Sequence, residues 1–440
     1  MNFTPWTLLV DIGLVSLLLL VGKFLRSKVK FIQRLFIPPS LLAGFAGLVL
    51  GPEVLGWLPL SGQLGTYAGI LIALVFSCIP LTSAKATSKG ESRVGRMWAY
   101  SQAGMLLQWA LGGALGLWVL SLFWPLNGAF GLSMPAGFCG GHGTAAAIGE
   151  AFSRYGVEEM LSLSMTSATV GIIASVVIGM WIITWGASRG KAAFLARFES
   201  LPPELRTGIL PKDKRSSMGM ASFSAISLDS MTFNFAMVAL TALAGYGISE
   251  LIALVWPVLK LPVFSCAFIA GLGVSWFLKR VKVDEHLSRP IIGHMSGAFT
   301  DYLVAFGVAS IKLEVVGRYI VPIIVLLAVG LLFTALYVFW VGARIHKDYS
   351  FEKSIFTWGW FTGTMAMGIA LLRITDPDSK SGCLDDYALA YLYIAPVEIA
   401  LVSLSPVAFA YGWGWLFVTV CAVAGVSVLG FAAFRGWFRK

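Results

Sequence analysis

Residues 137–152 read GFCGGHGTAAAIGEAF, with four glycines in the seven positions Gly137–Gly143 followed by a threonine. On either side the chain is apolar enough for lipid. Across all 440 residues it is 58% hydrophobic and 12% charged, with a mean hydropathy of +0.82. A soluble chain of this length cannot hide that much apolar surface, so the composition points to a polytopic membrane protein. The question is why backbone-loosening residues stand where a bilayer-crossing helix is expected.

The apolar windows set the frame. They fall at about 5–22, 35–50, 64–82, 97–123, 161–186, 229–248, 258–278, 291–311, 319–342, 387–411 and 414–434, about eleven spans of helical length. The short alternation of an outer-membrane barrel is missing. Met1–Trp6 carries no basic residue and the first run is long enough to span, so no cleavable signal is expected. The five cysteines are odd in number, show no metal-ligand spacing, and read as small core residues.

A net charge of +10 invites a nucleic-acid reading, but the charge is distributed as a topology signal. Of the 32 Lys and Arg, 28 lie in the segments 23–34, 85–96, 189–215, 279–289, 343–353, 373–386 and 435–440. Only Arg154, Lys260, Lys312 and Arg318 fall elsewhere. Placing those seven segments in the cytoplasm puts the N-terminus outside and the C-terminus inside. Parity then forbids 128–150 from crossing: it must enter and leave on the outer side. By the same argument 354–374 enters and leaves on the cytoplasmic side.

The two segments also resemble each other. GFCGGHG at 137–143 aligns with GWFTGTM at 359–365, and IPPSLLAGFAGL at 37–48 aligns with LPVFSCAFIAGL at 261–272. The expected architecture is therefore all-helical: two inverted-topology repeats of five spans, each with a re-entrant hairpin, plus an extra C-terminal span. The boundaries are 1–186 for the first repeat, 187–228 for a cytoplasmic linker, 229–411 for the second repeat and 412–440 for the last span and basic tail. Weak inverted similarity is characteristic of secondary transporters, whose sites form where broken helices meet at midplane.

Irregular backbone survives at membrane depth only where protein buries it or a wet cavity meets it. A hairpin tip exposes N–H groups that suit a carboxylate and carbonyls that suit Na⁺. The expected tips are Gly140, Gly141, His142, Gly143 and Thr144, with Thr144 capping the returning helix, and Thr362, Gly363 and Thr364. Tight helix packing is the plainer reading of the glycines. His142 is open between a proton-coupling group, a substrate donor and a histidine satisfied by carbonyls. Thr166, Ser167 and Thr169 offer neutral oxygens on the span after the first hairpin. Among the acids, Asp11, Asp301 and Glu398 fall well inside predicted spans. Asp301 and Glu398 are candidate Na⁺ ligands together with Thr166 and Thr169, and Asp11 reads as structural. Arg373 can clamp a carboxylate or cap a helix end at the rim, because about ten residues, roughly 15 Å of helix, separate it from the tip.

With GGHGT at 140–144 and ATVG at 168–171 in the next span, the sequence resembles the bacterial sodium/glutamate symporter family, as a divergent member. The resemblance implies Na⁺-driven uptake of L-glutamate or a closely related acidic solute across the bacterial inner membrane, by elevator movement of a core domain in a homodimer. Na⁺ is then the coupling ion, with no organic cofactor, no resident metal and no nucleic-acid partner. The alternatives are a Na⁺-coupled dicarboxylate symporter and a cation/proton antiporter. An intramembrane enzyme would need HExxH, G-x-S-x-G or a paired-aspartate motif, none of which stands in hairpin context.

Overall fold

The computed structural model describes residues 4–82, 91–189, 207–215, 217–219, 222–223, 226–256, 261–377 and 379–438. Much of the basic segments 85–96 and 189–215, with Lys260, Arg439 and Lys440, lies outside the described residues. The elements in chain order are α1 (Pro5–Lys28), α2 (Lys30–Arg34), α3 (Pro39–Leu50), α4 (Leu64–Thr82), α5 (Glu91–Ala114), α6 (Ser133–Phe138), α7 (Gly141–Ser153) and α8 (Glu159–Ser188). They continue with α9 (Ser230–Val255), α10 (Val263–Arg280), α11 (Arg289–Ala309), α12 (Leu313–Arg318), α13 (Ile320–Ile345), α14 (Ser350–Thr362), α15 (Met365–Thr375), α16 (Cys383–Ala410) and α17 (Gly414–Phe434).

Among the described residues, ten helices are long and apolar enough to cross a membrane. The expected span at 35–50 is a shorter helix, α3, of 12 residues. That is about 18 Å, short of a hydrocarbon core of about 30 Å. Its start is set by Pro38 and Pro39, which suit a first helical turn but cannot extend a helix backwards. The span expected at 97–123, α5, runs on through a π turn at Leu115–Val119 and a 3₁₀ turn at Leu120–Leu122. The segments 128–150 and 354–374 are each two short helices with a break, α6–α7 and α14–α15.

The helices pack as two groups. In one, α4 lies against α10 and α11, α11 against α3, and α1 and α9 flank α3 and α10. Small residues set these approaches: Gly44 meets Val308, and Gly245 meets the backbone of Ala267. In the other group, α5 carries α17, α16 and α13, while α8 holds both hairpins. The apolar side chains left exposed, such as Leu17 and Leu20 on α1, Leu240 and Leu251 on α9 and Val420 on α17, form the outward belt that lipid wets.

Candidate functional site

The two breaks meet end to end. In the first hairpin α6 ends at Phe138 and α7 begins at Gly141, with Gly140 as its N-cap and no side chain closing the end. Gly141 has φ +62°, a left-handed conformation that strains any L side chain. A Cβ there would lie 2.7 Å from Thr364 Cγ2 and 2.8 Å from the Gly363 carbonyl oxygen. So the glycine serves the contact between hairpins as well as the turn. In the second hairpin α14 ends at Thr362, and Thr364 caps α15 by accepting from the Met367 N–H at 3.3 Å.

The cap expected of Thr144 is thus made by Thr364. Thr144 stands in the first turn of α7, buried, with its side chain packed against Gly140. Residue for residue, the break in the first hairpin falls before His142, not around it.

Helix α8 wedges between the hairpins. A Cβ on Gly171 would lie 2.1 Å from the Thr362 carbonyl oxygen, so only glycine lets the second tip seat there. Trp358 Nε1 donates to the Ser175 carbonyl at 3.1 Å, and Ser175 Oγ donates to the Gly359 carbonyl at 3.4 Å. His142 Nε2 and Thr169 Oγ1 are 3.1 Å apart. The imidazole is buried and its Nδ1 has no partner among the described residues. Thr166 Oγ1 donates to Ser162 O and Thr362 Oγ1 to Trp358 O, both at 2.7 Å and both within their own helices. Each leaves lone pairs free. Gly143 has only Ile72 Cδ1 near its missing side chain, at 3.6 Å.

The breaks therefore bring together the starts of α7 and α15, with their positive dipole ends, and the last carbonyls of α6 and α14, while the Gly363 and Thr364 N–H groups donate to the Gly359 carbonyl at 3.1 and 3.2 Å. Such an arrangement can hold an anion and a cation side by side.

Other candidates lie elsewhere. Asp301 is exposed on α11, in the other helix group, near Ser40 and Lys23. Arg373 Nη1 donates to the Pro377 carbonyl at 2.9 Å, at the far end of α15 from the break. Glu398, on α16, accepts from the Tyr391 hydroxyl at 3.0 Å and stands within electrostatic reach of Cys139 at the first break. Asp11 accepts from the Ser61 N–H at 2.9 Å, the Ser61 hydroxyl at 2.5 Å and the Tyr67 hydroxyl at 3.0 Å, tying α1 to α4.

A residue not singled out from the sequence also holds the site. Gln108 on α5 is fully buried and its Nε2 donates to Thr334 Oγ1 at 2.9 Å and to the Phe361 carbonyl at 3.1 Å. The signal was a glutamine in the apolar run GMLLQWALGG at 104–113, visible once amides as well as acids are counted.

A cavity of about 720 Å³ opens between α4, α7, α8 and α9. Glu150, Arg154 and Tyr246 line it, and it reaches Ala73, one residue past the Ile72 that touches Gly143. Arg154 at its edge pairs with Glu150 at 2.9 Å and reaches across to Ser249 Oγ at 2.8 Å and the Leu261 carbonyl at 3.2 Å.

The profile described as sodium/glutamate symporter matches residues 7–366, from the first helix to just past the second break. The sodium/glutamate symporters of Escherichia coli (strain K12) and Shigella flexneri are each 25% identical over 346 residues, covering 75% of this chain and 79% of theirs. Among solved structures, the sodium proton antiporter MjNhaP1 from Methanocaldococcus jannaschii aligns over 96% of this chain and 99% of its own, at 17% identity and a TM-score of 0.34. That score carries no argument about fold or function. The profile match over most of the chain does: this protein belongs to the sodium/glutamate symporter family.

Proposed function

We propose that the protein couples Na⁺ influx to uptake of L-glutamate, or a closely related acidic solute, across the bacterial inner membrane. Family membership makes it a sodium-coupled multi-pass transporter. The observation that carries the finer reading is the end-to-end meeting of the two breaks at Gly141, Gly363 and Thr364 against α8. In this reading the substrate carboxylates sit on the N–H groups of Gly140 and Gly141, with the Thr364 hydroxyl and the open His142 Nδ1 as further polar contacts. Na⁺ takes the Thr362 and Gly363 carbonyls with the Thr166 and Thr169 hydroxyls, and organises the second tip before substrate arrives.

Movement follows from the two helix groups. The group of α5, α8, α13, α16, α17 and both hairpins would slide as a core against α1, α3, α4 and α9–α11. What favours this is that each group draws matching elements from both halves of the chain, as two inverted repeats would supply. The homodimer implied by the family would place the second group at the dimer axis.

Uptake of labelled glutamate into proteoliposomes under an imposed Na⁺ gradient is the direct test. Uptake of a dicarboxylate but not glutamate would select the dicarboxylate symporter. Na⁺/H⁺ exchange with no solute required would select the antiporter.

A further inference from the structure

Glu398 lies beyond the residues that the family profile matches, and its surroundings differ from a sodium site. It stands on the inward face of α16, in line with the buried Ile394 and Val402. Its hydrogen-bond partner among the described residues is the Tyr391 hydroxyl, one oxygen on its own helix. Around it are Cys139 at the first break and the Tyr387 ring, stacked on Tyr391 with centroids 5.5 Å apart. The Tyr387 hydroxyl is buried without a partner among the described residues.

Among the described residues, the elements packed against α16 bring titratable groups, but none forms an ion pair or hydrogen bond with this carboxyl. On α5, Arg93 is held by Asp386 and the Ser381 carbonyl, while Arg96 and Tyr100 lie toward the start of the helix. On α7, His142 faces Thr169 and Glu150 faces Arg154. On α14, Lys353 is paired with Asp386 at 2.8 Å, next to Glu352, and α17 brings Cys421. Among the described residues an ionised carboxylate here has no ion-pair partner, and the Tyr391 hydroxyl is its one hydrogen-bond partner. A proton removes the charge with no further ligand.

We infer that Glu398 is a proton-carrying site, so that a proton crosses together with sodium and the acidic substrate. Its Oε1 accepts H⁺ from the outer side while Oε2 keeps the Tyr391 hydrogen bond, and the same O–H gives H⁺ up on the cytoplasmic side. The carboxyl crosses the low-dielectric zone neutral, and returns to the anion only where water reaches it. Its position beside Cys139 ties its charge state to the first break, where substrate is proposed to bind. The inference rests on the symport reading above.

The test uses full-length protein in proteoliposomes loaded with a pH-sensitive dye, with labelled L-glutamate and an inward Na⁺ gradient. Wild type should acidify the lumen in step with glutamate uptake. Glu398→Gln should lose glutamate-dependent acidification per glutamate transported, and Glu398→Asp should keep it. Uptake by wild type without acidification, or acidification by Glu398→Gln at the wild-type ratio, overturns the inference. If Glu398→Gln does not transport, glutamate binding to the purified protein across pH decides. Wild-type affinity should weaken as pH rises and the variant's should be flat; equal pH dependence in both overturns the inference. No sodium-driven glutamate uptake by wild type is a different result, and overturns the symport reading itself.

Discussion

Gly141 is where the strongest residue-level test lies. Its left-handed φ costs a substituted L residue about 1–2 kcal/mol, and its Cβ would strike the second hairpin's backbone. Gly141→Ala should abolish uptake and lower the melting temperature. Gly143→Ala is the control, since its nearest neighbour leaves ordinary contact distance and alanine favours the helix by about 1 kcal/mol. It should fold and transport close to wild type. Loss of uptake in both, or in neither, would contradict the geometry. Gln108 gives a second test: Gln108→Leu leaves the Phe361 carbonyl unpaired and should cost about 1–3 kcal/mol, read as a lower denaturation midpoint. The glycine cluster made the first break legible in the sequence. Which glycine needs the positive φ was not legible, because that depends on where the other hairpin ends.

For the elements, the caps and rims decide. Thr144 and Thr364 look alike in sequence, each a threonine near a glycine-rich turn. Only Thr364 caps, because the first break falls four residues earlier than the threonine needs and leaves Gly140 at the N-cap. Arg373 shows the same dependence on distance. Its hydrogen bond to Pro377 closes the end of α15, so Arg373→Ala should lower stability by about 1 kcal/mol while the KM for substrate stays near wild type. A KM raised ten-fold or more, roughly 1.4 kcal/mol of lost binding, would place the guanidinium on substrate instead. Proline at 38 and 39 explains why one apolar run became the short α3, a shortening that hydropathy alone does not register. Pairings across the chain, such as Gln108 with Thr334 or Asp11 with Tyr67, left no mark in local sequence beyond the polar residues themselves.

Taken as a whole molecule, the charge pattern carries a claim that labelling can check. The five cysteines are all buried, so an introduced thiol reports alone. Ser153→Cys, at the exposed end of α7, should react with a membrane-impermeant reagent added outside. Ala366→Cys, exposed beside the second break, should react only from the cytoplasmic face. The reverse pattern would invert the topology and with it the direction of the proposed transport. Ten of the eleven expected spans, and the places of the two broken segments, could be read from hydropathy and glycine content, because lipid enforces the apolar signal at every turn; the sidedness expected from the lysines and arginines is what the labelling tests. The assembly of the site could not, since it joins residues more than two hundred positions apart. The central claim is that ion and substrate share the ground between the two breaks, and sodium-driven uptake tests it most directly. Proteoliposomes with an inward Na⁺ gradient should accumulate labelled glutamate, and should fail to do so when the gradient is removed or Gly141 is replaced by alanine. Accumulation that ignores the Na⁺ gradient, or that survives Gly141→Ala, would contradict it.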